Sequence, residues 1–133
     1  MKNRIFLLVI ILFTTYLLNF KIVNADQIFL KAKEIQTFEK GNIIIGIGEA
    51  EAKTQDGIEI FANKFTYNKN NGLLIASGAV RAINKIKNIE IKSEIIHYLE
   101  INQKVISYDF TEINIDDKYF IETKNIHYDH LKG

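Results

Sequence analysis

The chain has 133 residues, 47% of them hydrophobic, with 17 basic and 16 acidic side chains and no cysteine. The lack of cysteine excludes a disulfide scaffold and the thiolate-based zinc motifs. There is no clustered basic surplus of the kind that nucleic-acid binding needs, so no nucleic-acid partner is expected.

Residues 1–25 read as a secretory signal peptide. Lys2 and Arg4 give a basic start, Ile5 to Phe13 is an unbroken apolar run, and Val23-Asn24-Ala25 presents short side chains where a signal peptidase cuts. The expected cut lies between Ala25 and Asp26. The alternative is an uncleaved inner-membrane anchor, but a spanning helix needs about 20 predominantly apolar residues. Thr14, Thr15, Tyr16, Asn19 and Lys21 interrupt this stretch. The signal carries three of the 17 basic residues and none of the 16 acidic ones. Its removal leaves residues 26–133, 108 in all, with 14 positive and 16 negative side chains and a net charge of −2. That is the size of one domain.

The remainder predicts an all-β domain. Seven antiparallel strands are expected near residues 28–38, 42–53, 58–67, 73–83, 89–99, 104–115 and 119–128, where isoleucine, phenylalanine, tyrosine and threonine alternate with polar residues. Asp56-Gly57 and Asn71-Gly72 are dipeptides that tolerate positive φ in tight hairpins. Lys40-Gly41-Asn42, Asn84 to Asn88, Asn102-Gln103 and Asp116-Asp117 mark the other turns. Ten strand residues span roughly 33 Å, long for so small a domain.

The strands fall into an internal repeat of about 30 residues. Ala62-Asn63-Lys64-Phe65-Thr66-Tyr67 returns as Ser93-Glu94-Ile95-Ile96-His97-Tyr98 and as Thr123-Lys124-Asn125-Ile126-His127-Tyr128, with a weaker copy at Ala32 to Thr37. Ile45-Gly46-Ile47-Gly48-Glu49-Ala50 precedes Ile75-Ala76-Ser77-Gly78-Ala79-Val80 by 30 residues. Within a unit, Ile58, Ile60 and Ala62 can share a face with Phe65 only if parity slips near Asn63-Lys64. A β-bulge there in every unit would bend the sheet into an open trough. Alternation and repeat phase then give Ile44, Ile58, Ile60, Phe65, Leu74, Val80, Ile91, Ile96, Ile106, Phe110, Ile121 and Ile126 as inward residues.

The unit Ala62, Phe65, Tyr67, Asn71, Gly72, Leu74, Ala76, Gly78 and Val80 resembles the OstA-like (organic solvent tolerance-like) repeat of the lipopolysaccharide-transport family. The likeness covers most of residues 28–133 and is strongest over 58–128. It is similar both to the free periplasmic carrier and to the N-terminal periplasmic domain of the outer-membrane lipopolysaccharide-assembly protein. Asp117 to Ile126 favours the latter. The resemblance implies an open β-jellyroll that is exported to the periplasm, is not an enzyme and needs no cofactor. Its twelve inward residues would form the lipid-binding groove for the acyl chains of lipopolysaccharide. Its partners would be other OstA-like modules joined by edge-strand pairing, with membrane contact made through them. A lipid-free scaffold that pairs edge to edge, and an inner-membrane-anchored member of the same system, are the alternatives. Gly133 aligns with Gly72 and Asp129 with Asn68, so the domain is expected to be truncated within its last repeat.

Other constellations do not rise to chemistry. Gly41 to Gly48 lacks the Lys-Ser/Thr ending of a phosphate loop. His97 and His127 share a slot that Thr66 fills in the preceding unit, which marks the slot as outward and solvated rather than metal-binding. Glu49, Glu51, Glu90, Asp116 and Asp117 alternate with apolar residues or sit in turns. They read as a solvated face, not as a paired-carboxylate site.

Overall fold

The computed structural model describes residues 28–132. The predicted signal and its cleavage point, residues 1–27 and Gly133 lie outside the described residues. The strands are β1 (Phe29–Lys31), β2 (Glu34–Phe38), β3 (Ile43–Lys53), β4 (Ile58–Asn68), β5 (Leu73–Asn84), β6 (Ile89–Leu99), β7 (Lys104–Ile115) and β8 (Tyr119–Asp129). They form one antiparallel sheet in the order β1-β3-β4-β5-β6-β7-β8, with β2 also paired to β3. From β3 onward the predicted strands hold to within a residue. The first divides: β1 pairs with the Glu51–Lys53 end of β3 and β2 with its Ile43–Ile47 end. The break lies opposite Gly48-Glu49, which stand out of the ladder, and a 3-10 turn at Glu39–Gly41 follows it.

The register shifts once in every pair from β3–β4 to β7–β8, at one level across the sheet. The parity slip in β4 and β6 is where the repeat requires it: Ile58 and Ile60 are buried, Asn63 and Lys64 exposed, then Phe65 and Tyr67 buried again. The surplus residues, however, lie on the partner strands. In β3, Gly48-Glu49 stand against Asn63, and in β5, Gly78-Ala79 stand against Glu94, all four with positive φ. Two residues against one bend a strand sharply. The line of bulges therefore folds the sheet back on itself.

The two sides of that line form two facing layers. Layer 1 holds β1 and residues 50–53, 58–62, 80–84, 89–93, 111–115 and 119–123; layer 2 holds β2 and residues 43–47, 65–68, 73–77, 96–99, 104–107 and 126–129. Their inner faces are made of cross-strand rows. In layer 1, Ala52, Ile60, Ala82, Ile91, Ile113 and Ile121 are successive partners. In layer 2, Ile44, Tyr67, Leu74, Tyr98, Val105 and Tyr128 are. Leu74 and Ile96 are fully buried, and truncating either to alanine should cost about 2–5 kcal/mol.

The layers are staggered. Ile58, Ala82 and Ile89 of β4–β6 in layer 1 lie against Val105 and Tyr128 of β7–β8 in layer 2. The turn after β3 meets Tyr98 and Gln103 around the β6–β7 turn. Layer 1 therefore runs beyond layer 2 at β7–β8, and layer 2 runs beyond layer 1 at β2.

Candidate functional site

Seven of the twelve residues expected to line a groove, Ile58, Ile60, Phe65, Leu74, Val80, Ile91 and Ile96, are buried between the layers. The gap bounded by Ile58, Ala82, Ile89, Ile91, Val105 and Tyr128 is only about 10 Å³, about what one water occupies. These side chains meet a ligand only if the layers part. Ile44 and Ile126 are half-buried inner residues at the two ends of layer 2. Two residues do not face inward. Ile106 is also buried, at 9% exposure, but it pairs with His97 and His127 and so stands in the outer row of layer 2, apart from the core between the layers. Phe110 pairs with Lys124 and is 53% exposed beside the bend. Alternation counted across the β7 bulge misassigned Phe110, and Val105-Ile106 offered two apolar neighbours of which only Val105 continues the inner row.

Ile121 is the informative case. It lies on the inner row of layer 1 yet is 44% exposed, because the stagger leaves nothing above it. Its neighbours Ile113 and Ile115 are half-buried, and Tyr119, which pairs with Ile115, is 64% exposed. Together they form an uncovered apolar shelf that continues the buried interior without a break. At the opposite end Ile35, the partner of Gly46 on layer 2, is 49% exposed. Ile113, Ile115 and Tyr119 were absent from the inward set. The Ile113-Asn114-Ile115 alternation signalled the strand, but which inner residues stay uncovered depends on the stagger, which no local pattern encodes.

Along the rim, polar side chains join the layers. Tyr98 donates from its hydroxyl to Asp56 Oδ1 at 3.3 Å, and the Thr54 hydroxyl donates to the same carboxylate. Asn84 Nδ2 donates to the Tyr128 hydroxyl at 3.1 Å and lies 2.9 Å from His130 Nδ1. Lys87 Nζ reaches the His130 carbonyl at 2.7 Å. Within layer 2, Tyr67 donates to Glu100 of the β6–β7 turn at 2.6 Å. Burial first, then the neighbouring Glu100 and Asp56 carboxylates, push the Tyr67 and Tyr98 phenols above the ordinary tyrosine range. Burial raises Tyr128 in the same direction. At the bend, Ser93, Ser107 and Thr111 bond one another in a buried hydroxyl cluster, with both Ser–Ser and Ser–Thr contacts at 2.7 Å.

The outer faces differ. On layer 1, Glu59 bridges Lys53 at 3.3 Å and Lys85 at 2.8 Å, and Glu90 pairs with Arg81 at 2.6 Å. The two lysines hold the Glu59 carboxyl below the ordinary glutamate range. On layer 2, Ile45, Thr66, Ile75, His97, Ile106 and His127 form one row. His97 packs edge-on to Tyr108 with ring centroids 5.3 Å apart. Among the described residues there is no group of three metal-ligating side chains.

A scan against protein-family models gives no match, and a search of curated proteins by sequence gives none. Solved structures do resemble the chain. One is the crystal structure of LptH, the LptA-homologous periplasmic component of the conserved lipopolysaccharide transport device from Pseudomonas aeruginosa. It aligns with a TM-score of 0.68 at 18% identity over 78% of this chain and 76% of that one. The open, bent antiparallel sheet is thus a fold the two proteins share.

Proposed function

We propose that the chain is a non-enzymatic lipid-carrying module of lipopolysaccharide transport, acting in the periplasm between inner and outer membrane. The observation that carries this reading is the uncovered shelf of Ile113, Ile115, Tyr119 and Ile121, joined to a continuous apolar interior. Its fold, shared with a periplasmic component of a lipopolysaccharide transport device, supports the same reading. An acyl chain laid on the shelf leaves water at about 0.8 kcal/mol per methylene. That needs apolar walls and no directed chemistry. The sugars would stay beyond the rim, beside the charged outer face of layer 1.

The test is site-specific photocrosslinking to lipopolysaccharide. A photoreactive residue at 119 or 121 points along the shelf, and one at 120 points outward in the same strand. Crosslinks at 119 and 121 with little at 120 are expected. Equal yield at all three positions defeats the reading.

A second reading is a scaffold that pairs edge to edge without carrying lipid. The closed interior between β4 and β7 favours it. In that case the shelf would be covered by a neighbouring module, and no position in β8 would crosslink to lipid.

A further inference from the structure

We infer that the outer face of layer 2 docks on an anionic lipid bilayer, a direct membrane contact that does not depend on cargo in the interior. The observation is a difference between the two layers within the same strands. In layer 1 apolar and polar residues alternate, as in Ile58-Glu59-Ile60 and Ile89-Glu90-Ile91, and the outward glutamates are ion-paired. In layer 2 the alternation is lost. Ile43-Ile44-Ile45, Leu73-Leu74-Ile75 and Val105-Ile106 are apolar without interruption. An antiparallel sheet with one face in water alternates, whereas continuous apolar runs belong to strands covered on both faces. Ile44, Leu74 and Val105 cover the inner side. Their neighbours Ile43, Ile45, Leu73, Ile75 and Ile106 therefore point the other way, where no described strand lies over them. Ile47, Ile95 and Tyr108, all exposed, extend the face toward the bend. β4 supplies its polar members, Asn68, Thr66 and Lys64.

Size and charge select the occupant. Five strands at about 4.8 Å and five residues at about 3.3 Å give a face of about 400 Å². Two copies back to back would bury about 800 Å², short of the roughly 1,000 Å² that a specific protein contact needs. A bilayer sets no such threshold, because binding grows with whatever apolar area it takes in and with attraction to anionic headgroups. Among the described residues, layer 2 and its turns carry Lys40, Lys64, Lys69, Lys104 and Lys132 against four carboxylates. Layer 1 and its turns carry nine basic and eleven acidic side chains. An acidic surface thus draws layer 2 toward it and turns layer 1 away. Lys40, Lys69, Lys104 and Lys132 stand in or beside the turns that border the face. From there their stems can reach headgroups while the isoleucines sit deeper.

The chain has no cysteine, so a single one can carry an environment-sensitive NBD fluorophore on the otherwise unsubstituted full chain. The vesicles are phosphatidylethanolamine with phosphatidylglycerol, free of lipopolysaccharide. The label at Ile95→Cys should brighten and shift to the blue as vesicles are added, and the label at Phe120→Cys, on the outer face of layer 1, should not. The comparison reads which face meets lipid, so it holds whether or not residues 1–25 are retained. Adding Ile47→Glu to the Ile95→Cys chain should raise the lipid needed for half the response about tenfold, because a carboxylate must then be desolvated against the bilayer. Vesicles of neutral phosphatidylcholine should also require more lipid. No response at Ile95, an equal response at Phe120, or an equal response to neutral vesicles overturns the inference. A blue shift at Ile95 that grows with protein concentration in the absence of vesicles assigns the face to a second copy and overturns it too. Should Ile47→Glu fail to fold, the comparison of the two labels still decides. Failure of crosslinking to lipopolysaccharide at 119 and 121 leaves this assay unaffected, so the two ideas fall separately.

Discussion

Gly78 shows how one residue fixes the bend. Its φ is +82°, and a Cβ there would stand 2.7 Å from Asn63 Nδ2 and 2.8 Å from Asn63 Cβ. A side chain with this backbone costs about 1–2 kcal/mol before any clash. Gly78→Val should therefore lower stability by about 2–4 kcal/mol, read from the urea midpoint at unchanged slope. Ala79 adjoins it at φ +47°, and Ala79→Gly should relieve strain and raise the midpoint slightly. The sequence disclosed the bend through the lost alternation at Asn63-Lys64. It did not disclose that the surplus residues sit across the ladder in β3 and β5, because register is a property of two strands. The same holds for Ile106, whose face is set by pairing with His97 and His127.

Among the elements, β8 has the most open role. It pairs with β7 along Tyr119–Asp129 and with no other described strand. Its other edge offers unpaired backbone N–H and C=O groups, a template for a strand from another module. At the opposite side of the sheet β1 and β2 present the complementary edge. The two edges differ, so their contact would propagate head to tail rather than close. Concentration-dependent assembly, or capture of a second module of this fold, is the expected outcome in analytical ultracentrifugation. Ile121→Pro or Thr123→Pro should abolish it by obstructing the docking strand. A chain that stays monomeric and partnerless at high concentration rules out the joint. Every long strand was legible in the sequence because turn dipeptides bound it and alternation fills it. The division of β1 from β2 was not, since its cause is the Gly48-Glu49 bulge on the strand opposite.

The whole molecule depends on two layers that meet through apolar rows and a polar rim. Tyr67, Tyr98 and Tyr128 share one inner row, and burial raises all three phenols above their unfolded range. A raised phenol contributes fully below about pH 10, where the unfolded chain too is protonated, and its contribution declines as pH climbs past that point. Urea midpoints should thus be level from about pH 7 to 9 and fall steeply above about pH 10. Tyr98→Phe should flatten part of that fall; an unchanged alkaline limb would show that the phenols do not govern it. The bulge line has a geometric corollary. Each strand from β3 to β8 crosses it once, at the same level, so the cross-section is set within a strand and the span by the number of strands. Neighbouring strands lie about 4.8 Å apart, so each additional hairpin lengthens the molecule by about 9.6 Å and leaves its profile unchanged. Reach across a gap of fixed width then becomes a matter of counting repeats, and residues far apart in sequence can drift without altering it.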